Sequence, residues 1–445
     1  MMVRPLHDPQ QRFWEQVEGI RSHFGPAAVG PPEAEDDRTA TPRYLVEPGF
    51  VLVRGTDDAA ARSRLNARTD VATQTAHGIM RVPINGEVLA ARAADVSPNH
   101  LVTITPVNSC PADEPSLPAR GRGGPAPALT PPVHPDPEAG RGVDVLVIDT
   151  GLVPQFEEFT QVADVEGGPR VALTEPGVIS QYYGHGTFIA GVLRNVAPGV
   201  NLTVSNALRN AGTISEYCLG QVLLDELPAD GPWPAIISLS AGAPTVDERP
   251  LFGLEEFVRR LVDEHPETVL VAAAGNDGEP HQPFWPAALA PQYAESRAIV
   301  AVGALREDEA GRACFSNCGE WVTVYAPGER LTNIFATGRY KNVHERTRDC
   351  RYHIGYDPLY PHCTCVTAGE QGDELHFHGY ARWSGTSFAT PIVAGRIARC
   401  MNLDGQKRTS REAAQYLLSR RTHTIRDRAD GLPLPVLFDE DRPQP

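Results

Sequence analysis

A chain of 445 residues, 41% hydrophobic and with a formal charge of −16, is long enough for one large core with accessory units. That charge argues against a protein built to neutralise phosphates, which needs clustered Lys and Arg, so no nucleic-acid partner is expected. No run approaches the roughly twenty consecutive apolar residues that span a bilayer, and Met1–Asp8 is followed by no secretory apolar segment. No membrane contact and a cytoplasmic location are therefore expected. Eight cysteines in a chain of this length set no disulfide framework.

Phe13, Val17, Ile20 and Phe24 recur at helical spacing, which predicts a short amphipathic helix over residues 8–24. With the proline- and acid-rich connector after it, this makes an N-terminal segment over 1–42. Residues 43–108 read as a small α+β unit. Strands are predicted at Tyr44–Val46 and Phe50–Val53, and a helix from Asp57 to about Asn66. A central strand follows near Ile79–Val82, a second helix near Glu87–Ala94, and a closing strand over Leu101–Thr105. Residues 109–141, crowded with Pro, Gly and Ala, read as a linker.

From residue 142 the texture changes. Val143–Ile148 is an apolar, β-branched run of the kind buried on both faces of a sheet. Similar runs recur at Leu202–Val204, Ala235–Leu239, Thr268–Ala273, Ala298–Val302 and Trp321–Tyr325, with helical patterns at Thr187–Asn195, Ser215–Leu227 and Leu251–Glu264. Strand alternating with helix predicts a mostly parallel sheet between two helix layers, an α/β/α domain over 142–405. A polar insertion over 338–380 interrupts it. A last helix, with Ser410 as its cap, and a tail occupy 406–445.

In parallel sheets, functional groups gather beyond the carboxyl ends of the strands. Asp149 ends the run Val143–Ile148. His185 stands between Gly184 and Gly186 at the start of a helix, where flanking glycines allow backbone to approach closely. Asn276 follows the strand ending in Ala273-Ala274-Gly275. Ser387, in Gly385-Thr386-Ser387-Phe388-Ala389-Thr390-Pro391, opens a buried helix whose positive end favours negative charge nearby. There Thr386 or Ser387 is expected to cap the helix, and Pro391 is expected near its first turn. Each residue alone has a plain structural reading as a cap, a core histidine or a turn. An acid, an imidazole, an amide and a hydroxyl at equivalent addresses make the set that acyl transfer needs.

In that order, with the words Asp-Thr-Gly, Gly-His-Gly-Thr and Gly-Thr-Ser-x-Ala-x-Pro, residues 142–403 resemble the subtilisin-like serine peptidases. The resemblance implies a three-layer subtilisin-like α/β/α fold preceded by a small α+β domain. It implies a serine endopeptidase with Ser387 as nucleophile, His185 as base and acid, Asp149 orienting the imidazole, and Asn276 in the oxyanion hole. Ser240, Ala241 and Gly242 would pair with the substrate backbone, with Ala273, Ala274 and Gly275 as the opposite wall. The partner it implies is a protein or peptide substrate; within the chain, residues 43–108 have the length of an inhibitory propeptide, the alternative being a fused accessory domain that is never removed. Phe188 departs from the small polar word common after Gly-Thr, and Ala241 and Ala243 replace a leucine and a glycine, which leaves the pocket preference open.

No cofactor is expected to be required; a structural calcium or zinc stays open, though no matched motif calls for either. The insertion carries His344, Cys350, His353, His362, Cys363, Cys365, His376 and His378 at spacings that fit no zinc pattern. The rival from another class is a catalytically silent subtilisin-like binding or scaffold module. A further rival, the carboxyl peptidases that share the Gly-Thr-Ser-x-x-x-Pro word, is disfavoured because they use a glutamate where His185 stands.

Overall fold

The computed structural model describes residues 17–22, 44–88, 93–104, 114–118, 126–167, 177–208, 212–278, 281–341, 374–427 and 431–438, plus the backbone of 353–354 and 357–358. Residues 17–22 are helical with Val17 and Ile20 buried. Phe13 and Phe24 lie outside the described residues, as do most of the insertion's His and Cys positions.

The N-terminal unit contains β1 (Val46–Arg54), α1 (Asp58–Arg64), β2 (Gln74–Ala76), β3 (Ile79–Pro83) and β4 (Val96–Thr103). Asp57 caps α1 by accepting from Ala60 N at 3.0 Å. The predicted pair of strands at 44–53 is one strand. The helix predicted near Glu87–Ala94 gives way at Ala93, which bridges to Val96 in a tight reversal. Residues 89–92 lie outside the described set.

The larger unit runs β5 (Asp144–Asp149), α2 (His185–Val196), β6 (Asn201–Asn206), β7 (Thr213–Ser215), α3 (Glu216–Glu226), β8 (Ile236–Leu239), α4 (Glu255–Asp263), β9 (Val269–Ala273), β10 (Ile299–Leu305) and β11 (Val324–Pro327). It continues through β12 (Leu331–Lys341), β13 (Glu374–Trp383), α5 (Thr386–Met401), α6 (Ser410–Arg420), β14 (His423–Arg426) and β15 (Pro433–Val436). The main sheet has the order β14-β15-β11-β10-β9-β8-β5-β6, with a two-residue strand at Glu166–Gly167 beyond β6. Apart from the β14–β15 hairpin, its pairs are parallel. Every residue of β8, β9 and β10 is buried, so both faces of the sheet are covered, as an α/β/α architecture requires. Along one side α5 packs on α2 and α6 and across β8 to β11.

Local chemistry moved several boundaries. Thr409, not Ser410, caps α6, in a capping box with Glu412. The strand predicted from Trp321 begins at Val324, because Val322 N closes a turn on Gly319 O at 3.0 Å. Pro391 is not in the first turn of α5 but at its sixth position.

The two units share structure. β7 pairs antiparallel with β4 and completes a sheet of order β2-β3-β1-β4-β7. Leu52 and Ile79 pack on Tyr217 and Phe252 across the junction. Arg54 lies over the Phe252 ring at 3.8 Å and forks onto Glu255 through Nε at 3.0 and 2.9 Å. Buried Glu216 accepts from His100 N at 2.9 Å and Gly253 N at 3.0 Å, and lies 2.8 Å from His100 Nδ1. The described parts of the predicted linker are docked: Ser116 and Arg382 exchange backbone hydrogen bonds of 2.8 Å each, and Thr130 N donates to Thr332 O at 2.9 Å. Among the described residues no helix is long and apolar enough to cross a membrane.

Candidate active site

Asp149 is the last residue of β5 and is wholly buried. Its Oδ1 accepts from Thr150 N at 2.7 Å and from Thr150 Oγ1 at 3.2 Å. These two donors fix the orientation of the buried carboxylate. The same Thr150 hydroxyl accepts from Gly186 N at 3.1 Å, tying the end of β5 to the start of α2.

The carboxylate meets His185 Nδ1 at 2.9 Å through Oδ1 and 3.0 Å through Oδ2. His185 opens α2 after Gly184, whose φ of 83° is left-handed. A Cβ on Gly186 would stand 2.4 Å from Gly151 O, and one on Gly184 would stand 3.0 Å from the Phe335 ring. Both glycines are therefore required by close approach. The imidazole packs against Tyr182, Trp383 and Phe388, with ring centroids 6.1, 5.3 and 5.2 Å away. Phe388 follows Ser387 directly, so the imidazole sits beside the first turn of α5.

Asn276 Oδ1 accepts from Thr386 N at 2.8 Å and Thr386 Oγ1 at 2.7 Å. Neither Thr386 nor Ser387 supplies the cap expected of them. A side chain from the far end of β9 does so instead, which leaves the Asn276 Nδ2 group for another acceptor. Pro391 has no N–H for the carbonyl of Ser387, four residues earlier. Ser240 Oγ supplies the missing donor at 2.9 Å. The Ser387 hydroxyl in turn donates to Ser240 O at a long 3.4 Å, not to the imidazole.

Ser240, Ala241 and Gly242 leave β8, and Ala273, Ala274 and Gly275 end β9 and continue past it. Both segments are buried and, through Ser240 and Asn276, both meet the first turn of α5. Gly242 exchanges two backbone hydrogen bonds, each 3.0 Å, with Thr103 at the end of β4. Ile104 N donates to Gly212 O at 2.8 Å on the other side. The N-terminal unit thus lays an extended segment along the predicted substrate strand.

Residues 140–433 match the family model described as the subtilase family. The chain belongs to the subtilase family. Among its relatives, an extracellular serine proteinase of Thermus sp. (strain Rt41A) is 31% identical over 206 residues, which are 44% of this chain and 45% of that protein. An intracellular serine protease of Paenibacillus polymyxa is 27% identical over 275 residues, 58% of this chain and 66% of that one. The chain thus spans between about half and two thirds of the length of these relatives. The crystal structure of fervidolysin from Fervidobacterium pennivorans superposes with a TM-score of 0.52 at 16% identity, covering 89% of this chain and 60% of that one. At that identity the likeness is one of fold.

The roles of Thr150, which couples the acid to α2, and of Thr386, which anchors Asn276, were not foreseen from sequence. Both stand inside the quoted words Asp-Thr-Gly and Gly-Thr-Ser, a signal that could have flagged them. Among the described residues no group of three His, Cys, Asp or Glu is placed to hold a metal ion. His376 and His378 lie exposed on β13.

Proposed function

We propose that this subtilase is a serine endopeptidase acting on protein or peptide substrates. The observation that carries the reading is the buried Asp149–His185 couple, with its imidazole beside the helix that Ser387 opens. In this reading Ser387 Oγ attacks the scissile carbonyl while His185 Nε2 takes its proton. Nε2 then protonates the leaving amine, and a water enters by the same route to release the acyl group. Asp149 holds Nδ1–H and so fixes the tautomer. Asn276 Nδ2 and Ser387 N–H receive the oxyanion, a donor of the first kind contributing about 3–4 kcal/mol to transition-state stabilisation. The turn of the Ser387 hydroxyl toward Ser240 O agrees with a resting site, since nucleophile–base bonds are often loose before substrate enters.

The N-terminal unit is its intramolecular inhibitor. Thr103 pairs with Gly242 as a substrate strand would, so the intact chain occupies its own cleft.

The test is hydrolysis of an unfolded protein substrate by the purified chain. Wild type is expected to generate new N-termini, and Ser387→Ala is expected to generate none. Equal products from both proteins, or none from wild type even after the N-terminal unit is removed, would favour a silent binding module.

A further inference from the structure

Phe284 occupies the space between the two walls that converge on Ser387. Ser240 and Asn276, the wall residues at the top, are bonded to Ser387 and Thr386 respectively. In the peptidase reading, a peptide paired along Ser240–Gly242 with its carbonyl at Ser387 would place the side chain of its acyl residue between those walls. At that depth the walls are both glycine. A Cβ on Gly242 would lie 2.3 Å from Phe284 Cε1 and 2.8 Å from Cδ1, and one on Gly275 would lie 3.0 Å from Phe284 Cγ. One ring therefore touches both walls, and it is only 2% exposed.

The ring is held in place. Trp285 exchanges backbone hydrogen bonds of 2.9 Å each with Ala243, beside Gly242, and Phe284 O accepts from Ala288 N at 2.8 Å. Beyond Gly275 stands Asn317, whose Nδ2 would be 2.2 Å from a Cβ there. Asn317 is fixed by donating to Ala274 O at 2.9 Å and accepting from Asp277 N at 3.0 Å. With its backbone pinned by this pairing and its ring buried, Phe284 yields only by rotating into packed surroundings, so a bulky substrate side chain has no cheap route in.

We infer that Phe284 sets the specificity of the site, restricting the residue on the acyl side of the scissile bond to a small side chain: glycine, alanine or serine. This rests on the serine peptidase reading above. A close-fitting pocket discriminates about 10–200-fold for a single methylene. A whole phenyl ring is therefore expected to lower kcat/KM by about a hundredfold or more.

The experiment compares two peptide series differing only in alanine or phenylalanine at that position, for wild type, Phe284→Gly and Phe284→Leu. Wild type is expected to prefer alanine by about a hundredfold. Phe284→Gly is expected to bring the two within about threefold or reverse them, with Phe284→Leu between. If Phe284→Gly does not fold, Phe284→Leu alone must shift the ratio at least severalfold.

The same proteins are treated with methanesulfonyl fluoride and phenylmethanesulfonyl fluoride. The small reagent is expected to inactivate all of them, and the phenyl reagent to inactivate the opened variants much faster than wild type. Equal cleavage after alanine and phenylalanine by a wild type that the small reagent inactivates overturns this inference and leaves the peptidase reading standing. If the small reagent modifies none of them and no peptide is cut, before or after the N-terminal unit is removed, the peptidase reading fails and this inference with it.

Discussion

Thr103 and Gly242, 139 positions apart, exchange two backbone hydrogen bonds of 3.0 Å each and so pair the N-terminal unit with the predicted substrate strand. Thr103→Pro removes the donor to Gly242 O. A net loss of about 1–1.5 kcal/mol corresponds to roughly tenfold more open cleft. The initial rate on a short peptide by the uncut chain is expected to rise by about that factor. An unchanged rate at equal active-site concentration would count against intramolecular inhibition.

In the proposed mechanism Asp149 acts through His185, so Asp149→Asn is expected to damage turnover without damaging binding. For the triad in general the loss in kcat is about 10⁴-fold, a magnitude taken from enzymes with this constellation, and KM should move by no more than about twofold. Steady-state kinetics on an ester or peptide checks it. A loss confined to KM would contradict the assigned role.

Asn276 is expected to show two effects where a pure oxyanion donor shows one. Asn276→Ala should lower kcat by about 10²–10³-fold. It also uncaps Thr386 N–H at the start of α5, which lowers stability by about 1 kcal/mol. Thr386→Val keeps the backbone bond to Asn276 Oδ1 and loses only the hydroxyl one at 2.7 Å, so its kinetic effect should be clearly smaller. Denaturant unfolding alongside kinetics separates the two effects.

His265 stacks on Trp233 with ring centroids 3.9 Å apart. Burial, followed by the nearby Arg260 charge, holds its pKa below the usual 6.5, with Glu264 opposing. The unfolded chain therefore binds the proton more readily than the folded one. Its neutral form contributes stability in full above about pH 6.5, lost as pH falls toward and through the lowered value. Thermal unfolding between pH 7 and pH 5 should thus steepen with acid in wild type and less so in His265→Phe. Identical pH slopes for the two proteins would refute the assignment.

The sheet was legible because Val143–Ile148 and its counterparts are apolar on both faces, a pattern that only a covered parallel strand tolerates. Asp149, His185, Asn276 and Ser387 stood out in the sequence as candidates because each sits where a buried run meets glycine. Other features depend on partners remote in sequence. Thr213–Ser215 is too short to announce a strand and becomes one by pairing with β4. The cap of α5 comes from Asn276, 110 positions away, which no local capping rule anticipates. Phe284 reads as one phenylalanine among fourteen, and only the contact with Gly242 and Gly275 distinguishes it.

The most direct test of the central claim is peptide mass spectrometry after treatment with a small fluorophosphonate, applied to the intact chain and to the chain after limited proteolysis of its N-terminal unit. The account predicts one adduct per chain on the peptide containing Ser387, faster after proteolysis and lost in Ser387→Ala and His185→Ala. No adduct in either form of wild type, or an adduct unaffected by Ser387→Ala, would contradict it.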